Sequence, residues 1–154
     1  MECLLHISYR LDFKTWQARN ADSKELLKAK KQMIQQKFRD EMGLLVDIVK
    51  QGAGTTNDGN TARNFFSDPV KTAAITGLDS TIIQRFATIL GVIACGEPVN
   101  VEAFANFARL TAERYVELYG WYYMPSSVHK LLYYTYVEST SLQYLIRRIS
   151  IKES

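Results

Sequence analysis

The sequence predicts an all-α fold, an irregular bundle of about five or six helices, from three observations. Residues 22–43 are dominated by Lys, Glu, Gln, Ala, Leu and Met, with Gly43 standing just past the end. Apolar residues recur at spacings of three and four, first through Ile82, Ile83, Phe86, Ile89, Leu90 and Ile93, and again from Val101 to Leu118. No strand pairs, internal repeats or low-complexity segments are visible.

Taken in order, residues 1–20 are short, mixed and aromatic. The alternation from Leu5 to Phe13 reads as a short extended piece, followed by a turn of helix around Phe13–Arg19. The 22–43 helix carries a narrow apolar stripe of Leu27, Ile34, Phe38 and Met42, with Lys24, Lys28, Lys31 and Lys37 around the rest. A polar loop leads to a short helix through Phe66. Asp68-Pro69 starts the next, because proline is tolerated in a first helical turn, and Gly77 ends it. Asp79 is placed to cap the buried helix that follows, and Gly96-Glu97-Pro98 breaks it. The next stripe is Val101, Phe104, Phe107 or Ala108, Thr111, Tyr115 and Leu118, stopping at Gly120. After an aromatic joint, Ser126 or Ser127 can cap a helix bearing Val128, His129, Leu131 and Leu132.

Composition sets the class. With 154 residues, 47% hydrophobic and 23% charged, the chain is one domain or a piece of one, with ample material for a core. A net charge of +3 does not by itself name nucleic acid as a partner. The basic surplus lies at the two ends: ten Lys/Arg against seven acids in residues 1–50, five against seven in 51–120, and four against two in 121–154. Cys3 and Cys95 suggest neither a disulfide framework nor a metal motif, and no apolar run reaches membrane-spanning length. The expectation is a soluble, intracellular protein with no membrane partner. Met1-Glu2-Cys3 reads more like the middle of something than a start.

The stretch from Gly54 to Phe66 is the only place where Gly, Asn, Asp and Thr crowd together. Asn57, Asp58 and Asn60 are alternative N-caps for a helix opening with Thr61-Ala62-Arg63. Two readings stand: an ordinary capped loop, or a phosphate site formed by helix-start amides with Arg63 one turn in. The lysines of the 22–43 helix likewise read as a solvated face or as a phosphate-tracking one. The candidate DNA contacts are therefore Thr55, Asn57, Asn60 and Arg63 with Lys24, Lys28 and Lys31. His6 and His129 show no catalytic spacing, and the carboxylates are scattered through caps and polar faces. Trp121, Tyr122 and Tyr123 read as lids on a core or as a platform for bases.

Together these pieces resemble a family. Leu5-His6, the basic helix from Lys24 to Gly43, Asp58-Gly-Asn-Thr-Ala-Arg63 and Val128-His129-Lys130 occur in an order similar to that in the catalytic chain of the vertebrate V(D)J recombinase and Transib-like transposases. The fuller block Gly54–Phe66, with Tyr115-Val-Glu-Leu-Tyr-Gly-Trp-Tyr-Tyr-Met-Pro125, looks most like the invertebrate, transposon-borne members. The resemblance covers about residues 3–132; the loop block and the Val-His-Lys element are its specific parts.

The resemblance implies a nuclear, DNA-cutting enzyme with an RNase H-like core, three acids on divalent metal (magnesium or manganese), and a helical zinc-binding insertion between the second and third acid. This chain looks like that insertion over residues 1–132, followed by a divergent tail over 133–154 that is helical or disordered. No acid here matches one of the three, so no catalytic residue is assigned and cutting by the chain alone is not expected. His129 matches the first of two zinc histidines; its companion five residues on is replaced by Tyr134. One histidine with a phenol falls short of the four ligands a structural zinc takes, so no cofactor is expected on this chain. Leu142, Leu145, Ile146, Ile149 and Ile151 could still pattern a helix in the tail. The implied function is a transposase-derived fragment with weak DNA binding. The alternatives are a helical module that associates with intact transposase or with itself, and a piece of an active endonuclease.

Overall fold

The computed structural model describes residues 1–137, with side-chain surroundings described as far as Tyr133. The tail helix suggested by Leu142–Ile151 lies outside the described residues.

The chain opens in a helix where an extended piece was expected. Helix α1 (Glu2–Ser8) buries Leu4, Leu5, Ile7 and Ser8. Leu4, Leu5, Ile7 and Ser8 follow the i, i+1, i+3, i+4 spacing of one helix face, and the alternation from Leu5 to Phe13 masked it because the helix stops at Ser8. The helix expected around residues 13–19 is absent too. That segment runs as turns, with Phe13 and Lys14 N–H groups donating to the Arg10 carbonyl. Lys14 takes a left-handed φ of 47°, which stops a right-handed helix. Arg10 holds the turn from both sides, donating from Nη1 to the His6 carbonyl (2.7 Å) and from Nε to the Trp16 carbonyl (3.1 Å).

Helix α2 (Ala21–Met42) starts where Asn20 accepts from the Ser23 amide, and it closes at left-handed Gly43. The Gly43 and Leu44 amides return to the carbonyls of Arg39 and Phe38, which satisfies the last turn. Ile34 and Phe38 are fully buried, in line with the expected stripe.

A two-residue antiparallel ladder follows, β1 (Val49–Lys50) with β2 (Gly54–Thr55), pairing Val49 with Thr55 and Lys50 with Gly54. The sequence reading held no strand pair. Strands of two residues are too short to show a period, and this ladder is set by its turn, where Gly52 and Gly54 take φ of 74° and 78°.

Helix α3 (Gly59–Ser67) is capped by Asp58, whose carboxylate accepts from the Thr61 amide, which selects one of the three candidate caps. Helix α4 (Pro69–Thr76) is capped by Asp68, with proline in its first turn and Gly77 at its end. Thr72 Oγ1 donates to the Phe65 carbonyl at 2.7 Å and ties α4 to α3. Helix α5 (Ser80–Cys95) begins with the Ile82 amide on the Asp79 carboxylate. Helix α6 (Val101–Tyr119) is capped by Asn100, and α7 runs Ser126–Val137. Both candidate cap serines lie inside α7, and the His129 amide reaches back to the Pro125 carbonyl, which sets the start one residue earlier than expected. The described residues thus hold seven helices, and the fold is all-α apart from the small ladder.

The chain divides into two units, the first comprising Met1–Ile83 with Trp121–Tyr123, the second Gln84–Gly120 with the chain from Met124 on. In the first, Phe38 and Phe65 stack tilted at 5.6 Å, and Phe65 meets Phe66 edge-on at 4.9 Å; Leu5, Ile7 and Ile34 are fully buried in the same unit. In the second, α7 packs on α6, and Phe86 meets Tyr115 edge-on at 6.4 Å. Ala108, rather than Phe107, takes the buried position of the α6 stripe. Phe107 instead lies under the Arg85 guanidinium, which also donates to Thr111 Oγ1 (2.9 Å) and the Phe107 carbonyl (3.0 Å). Among the described residues no helix is long and apolar enough to cross a membrane.

Candidate functional site

The sequence-predicted loop is built around an acid that sequence reasoning passed over. Asp47 stands between Val46 and Ile48, and the chain turns there with a left-handed φ of 53°. The residue is buried, and its carboxylate collects partners from separate segments of the first unit. Lys31 Nζ of α2 lies 2.9 Å from Oδ2. The Tyr9 hydroxyl, just past α1, donates to the same oxygen at a long 3.4 Å, and His6 Nε2 of α1 is 3.6 Å away. Asn57 Nδ2 reaches Oδ1 at 3.4 Å and Glu2 Oε1 at 3.2 Å, while Asn57 Oδ1 accepts from the Asp47 amide at 2.7 Å. Gln35 of α2 completes the frame, its Nε2 donating to the carbonyls of Val46 and Asp47, both at 3.1 Å.

Charge in this cluster follows from burial. Tyr9 is pushed well above the usual phenol range, mainly by desolvation and then by the Asp47 charge, so it stays a hydroxyl donor. His6 is held below its ordinary value because burial outweighs the pull of Asp47, with Arg10 adding to the depression. The His6–Asp47 approach is therefore a contact of a neutral imidazole at neutral pH rather than an ion pair. Lys31 supplies the compensating charge. With its oxygens shared among Lys31, Tyr9 and Asn57, Asp47 works as a pin that fixes the loop to α1 and α2.

The loop's own residues are bound into it in the same way. Thr55 Oγ1 accepts from the Asn57 amide (3.3 Å), Thr56 Oγ1 from the Ile48 amide (3.1 Å), and Thr61 Oγ1 donates to the Thr56 carbonyl (2.8 Å). Of the predicted DNA contacts, Thr55 and Asn57 serve the loop's architecture. Asn60 and Arg63 are exposed on α3, joined by a 2.7 Å hydrogen bond from Arg63 Nη1. Asp58 is held below the usual carboxylate range by the Thr61 amide it caps. Lys24 and Lys28 lie one turn apart on α2, exposed and without an ion-pair partner among the described residues, whereas Lys31 is committed to Asp47. The loop block and the lysine helix are thus brought together through Lys31 and Gln35, while Lys24 and Lys28 remain on the surface.

His129 belongs to the second unit and joins none of this. Its exposed ring stacks on Tyr133 at 4.5 Å and 23°. Among the described residues no three His, Cys, Asp or Glu side chains group as metal ligands. The side chain of Tyr134 lies outside the described residues. Glu113 and Glu117 form the expected exposed edge, each paired with an arginine, Arg109 and Arg114.

Asp47, Tyr9 and Gln35 are the residues that sequence reasoning missed. An acid inside the apolar run Leu44–Val49 was the available signal, since a carboxylate placed there must find partners. No protein-family model matches this chain, and no curated protein matches it.

Proposed function

We propose that this chain is a transposase-derived helical module that binds DNA weakly and without catalysis of its own, through cations on α2 and α3. The observation that carries the proposal is the pair Lys24 and Lys28, exposed one turn apart and free of acid partners among the described residues. Arg63 adds an exposed cation on α3, the helix that the loop presents. Phosphate contacts of this kind position a protein on DNA and carry no sequence information. The resemblance to recombinase-like transposases, on the Gly54–Phe66 block above all, supports DNA as the polyanion. The absence from this chain of acids matching the family's three supports the non-catalytic part.

The test is anisotropy of a labelled duplex titrated with protein over a range of salt. The double substitution Lys24→Gln/Lys28→Gln weakens binding and reduces the salt slope by roughly two, at about 0.9 per phosphate contact. Failure of the unaltered chain to bind at low salt overturns the proposal.

A second reading, a module that associates with intact transposase or with itself, is favoured by Leu26 and Met33. They stand seven residues apart on one face of α2 and are exposed. Light scattering after size exclusion, alone and with intact transposase, tests it; loss of association in Leu26→Gln/Met33→Gln supports it, and a monomer that captures nothing removes it.

A further inference from the structure

The aromatic residues of the first unit form a surface that the cationic reading does not use. Trp16 and Tyr123 are distant in sequence, yet their rings meet at 5.9 Å and 41°, and they are 48% and 66% exposed. Large aromatic rings left this open forgo the burial that normally holds them. Trp16 also lines an open cleft with Phe13, Thr15, Gln17, Arg19, Asn20 and Ser23. No acid is among the lining residues. Asp12 and Asp22 adjoin the lining in sequence; Asp12 is paired with Lys30 at 3.4 Å, and Asp22 is exposed in the first turn of α2. Asn20 and Ser23 are engaged with each other in the α2 cap, and Arg19 is exposed, its contact among the described residues a long 3.4 Å one to Gln17. Alongside, Arg10 lies over the ring of Tyr122 at 5.7 Å. The patch therefore offers two exposed aromatic rings, one exposed guanidinium and no carboxylate among the cleft's lining residues.

From this geometry we infer that Trp16 and Tyr123, with Arg19, form a stacking site for unpaired bases of single-stranded nucleic acid. The inference rests on the nucleic-acid reading above and adds a preference for unpaired strands. A base has a flat π-face that stacks on tryptophan or tyrosine whatever its identity, and the neighbouring phosphate takes the arginine. Paired bases are already stacked and cannot enter, so the site discriminates by strandedness. An acidic peptide would satisfy Arg19 but leave both rings uncovered.

The experiment compares an oligothymidylate with a duplex of equal length, using the full chain at low salt. Trp16→Ala weakens oligothymidylate binding by roughly tenfold or more and leaves duplex affinity within about twofold, while Trp16→Phe keeps most of the affinity. Tyr123→Ala acts in the same direction. In a Trp121→Phe background Trp16 is the remaining tryptophan, and oligothymidylate quenches its emission. This readout needs no disruptive substitution. Equal loss for both strands in Trp16→Ala, or unquenched Trp16 in a chain that binds, overturns the stacking site. If Lys24→Gln/Lys28→Gln alone lowers affinity, the cationic surface stands and the stacking site falls. No binding to either probe removes both.

Discussion

Asp47 carries Lys31, Tyr9 and His6 on one carboxylate oxygen, so shortening it strands donors from several segments at once. Asp47→Ala is expected to cost about 2–3 kcal/mol; the figure is kept low because Lys31 regains water once released. That corresponds to a fall in melting temperature of roughly 4–12 °C for a chain of this size. Asp47→Asn should cost about half as much, since asparagine tolerates the 53° φ and can still accept from Tyr9. Thermal melts of the two variants check the order; equal losses would show that the charge, rather than the hydrogen bonds, is what matters. Gly77 makes a second residue-scale case. Its φ is +76°, and an added Cβ would stand 3.3 Å from Leu11 Cδ1. Gly77→Ala is expected to lose about 1–2 kcal/mol in a urea titration, from left-handed strain and crowding together.

At the scale of elements, α1 is fastened to the loop through groups that titrate. His6 has its affinity for a proton lowered in the folded chain, chiefly by burial. The unfolded chain therefore takes up that proton first as pH falls, and stability drops as pH passes below about 6.5, the ordinary histidine value. His6→Gln removes this contribution. Urea midpoints measured from about pH 8 to about pH 5 should fall less steeply for the variant than for the parent, and parallel curves would refute the assignment. Asp58 acts in the same direction in a more acidic window: its folded-state value is lowered by the Thr61 amide, so its capping contribution is present above the usual carboxylate range and is lost as pH falls from there through the folded-state value. The caps at Asn20, Asp58, Asp68 and Asn100 all place a side-chain oxygen on an amide three residues on. Local chemistry of that kind sets helix starts before any packing is considered.

For the whole molecule, each unit has its own interior, and each can be weakened by one cavity. Phe65 in the first unit and Leu132 in the second are fully buried. Phe65→Ala is expected to cost about 3–5 kcal/mol and Leu132→Ala about 2–5. Against a net stability of about 5–15 kcal/mol, either is a large fraction, visible as a fall in the denaturant midpoint. Both tryptophans lie in the first unit, so the Phe65→Ala loss should be read by their fluorescence as well as by helical circular dichroism.

What the sequence determined by itself were the features written in nearest neighbours. The all-α class, α2 with its closing Gly43, the Asp68-Pro69 start, the Asp79 start and the apolar stripes of α5 and α6 depend on propensity, capping and period, each set within a few residues. Only the tertiary structure decided the rest. Leu5, Ile7 and Tyr9 alternate like a strand, yet the chain from Glu2 to Ser8 folds as α1 and buries one face made of Leu4, Leu5, Ile7 and Ser8. Lys31 and Lys28 are alike in sequence, and only the position of Asp47, sixteen residues further on, makes one a structural partner and leaves the other at the surface. The Asp47 cluster and the Trp16–Tyr123 pair join residues far apart in the chain. No local pattern records such pairings, because the free energy that selects them comes from burial and from satisfying a buried charge once the helices have met.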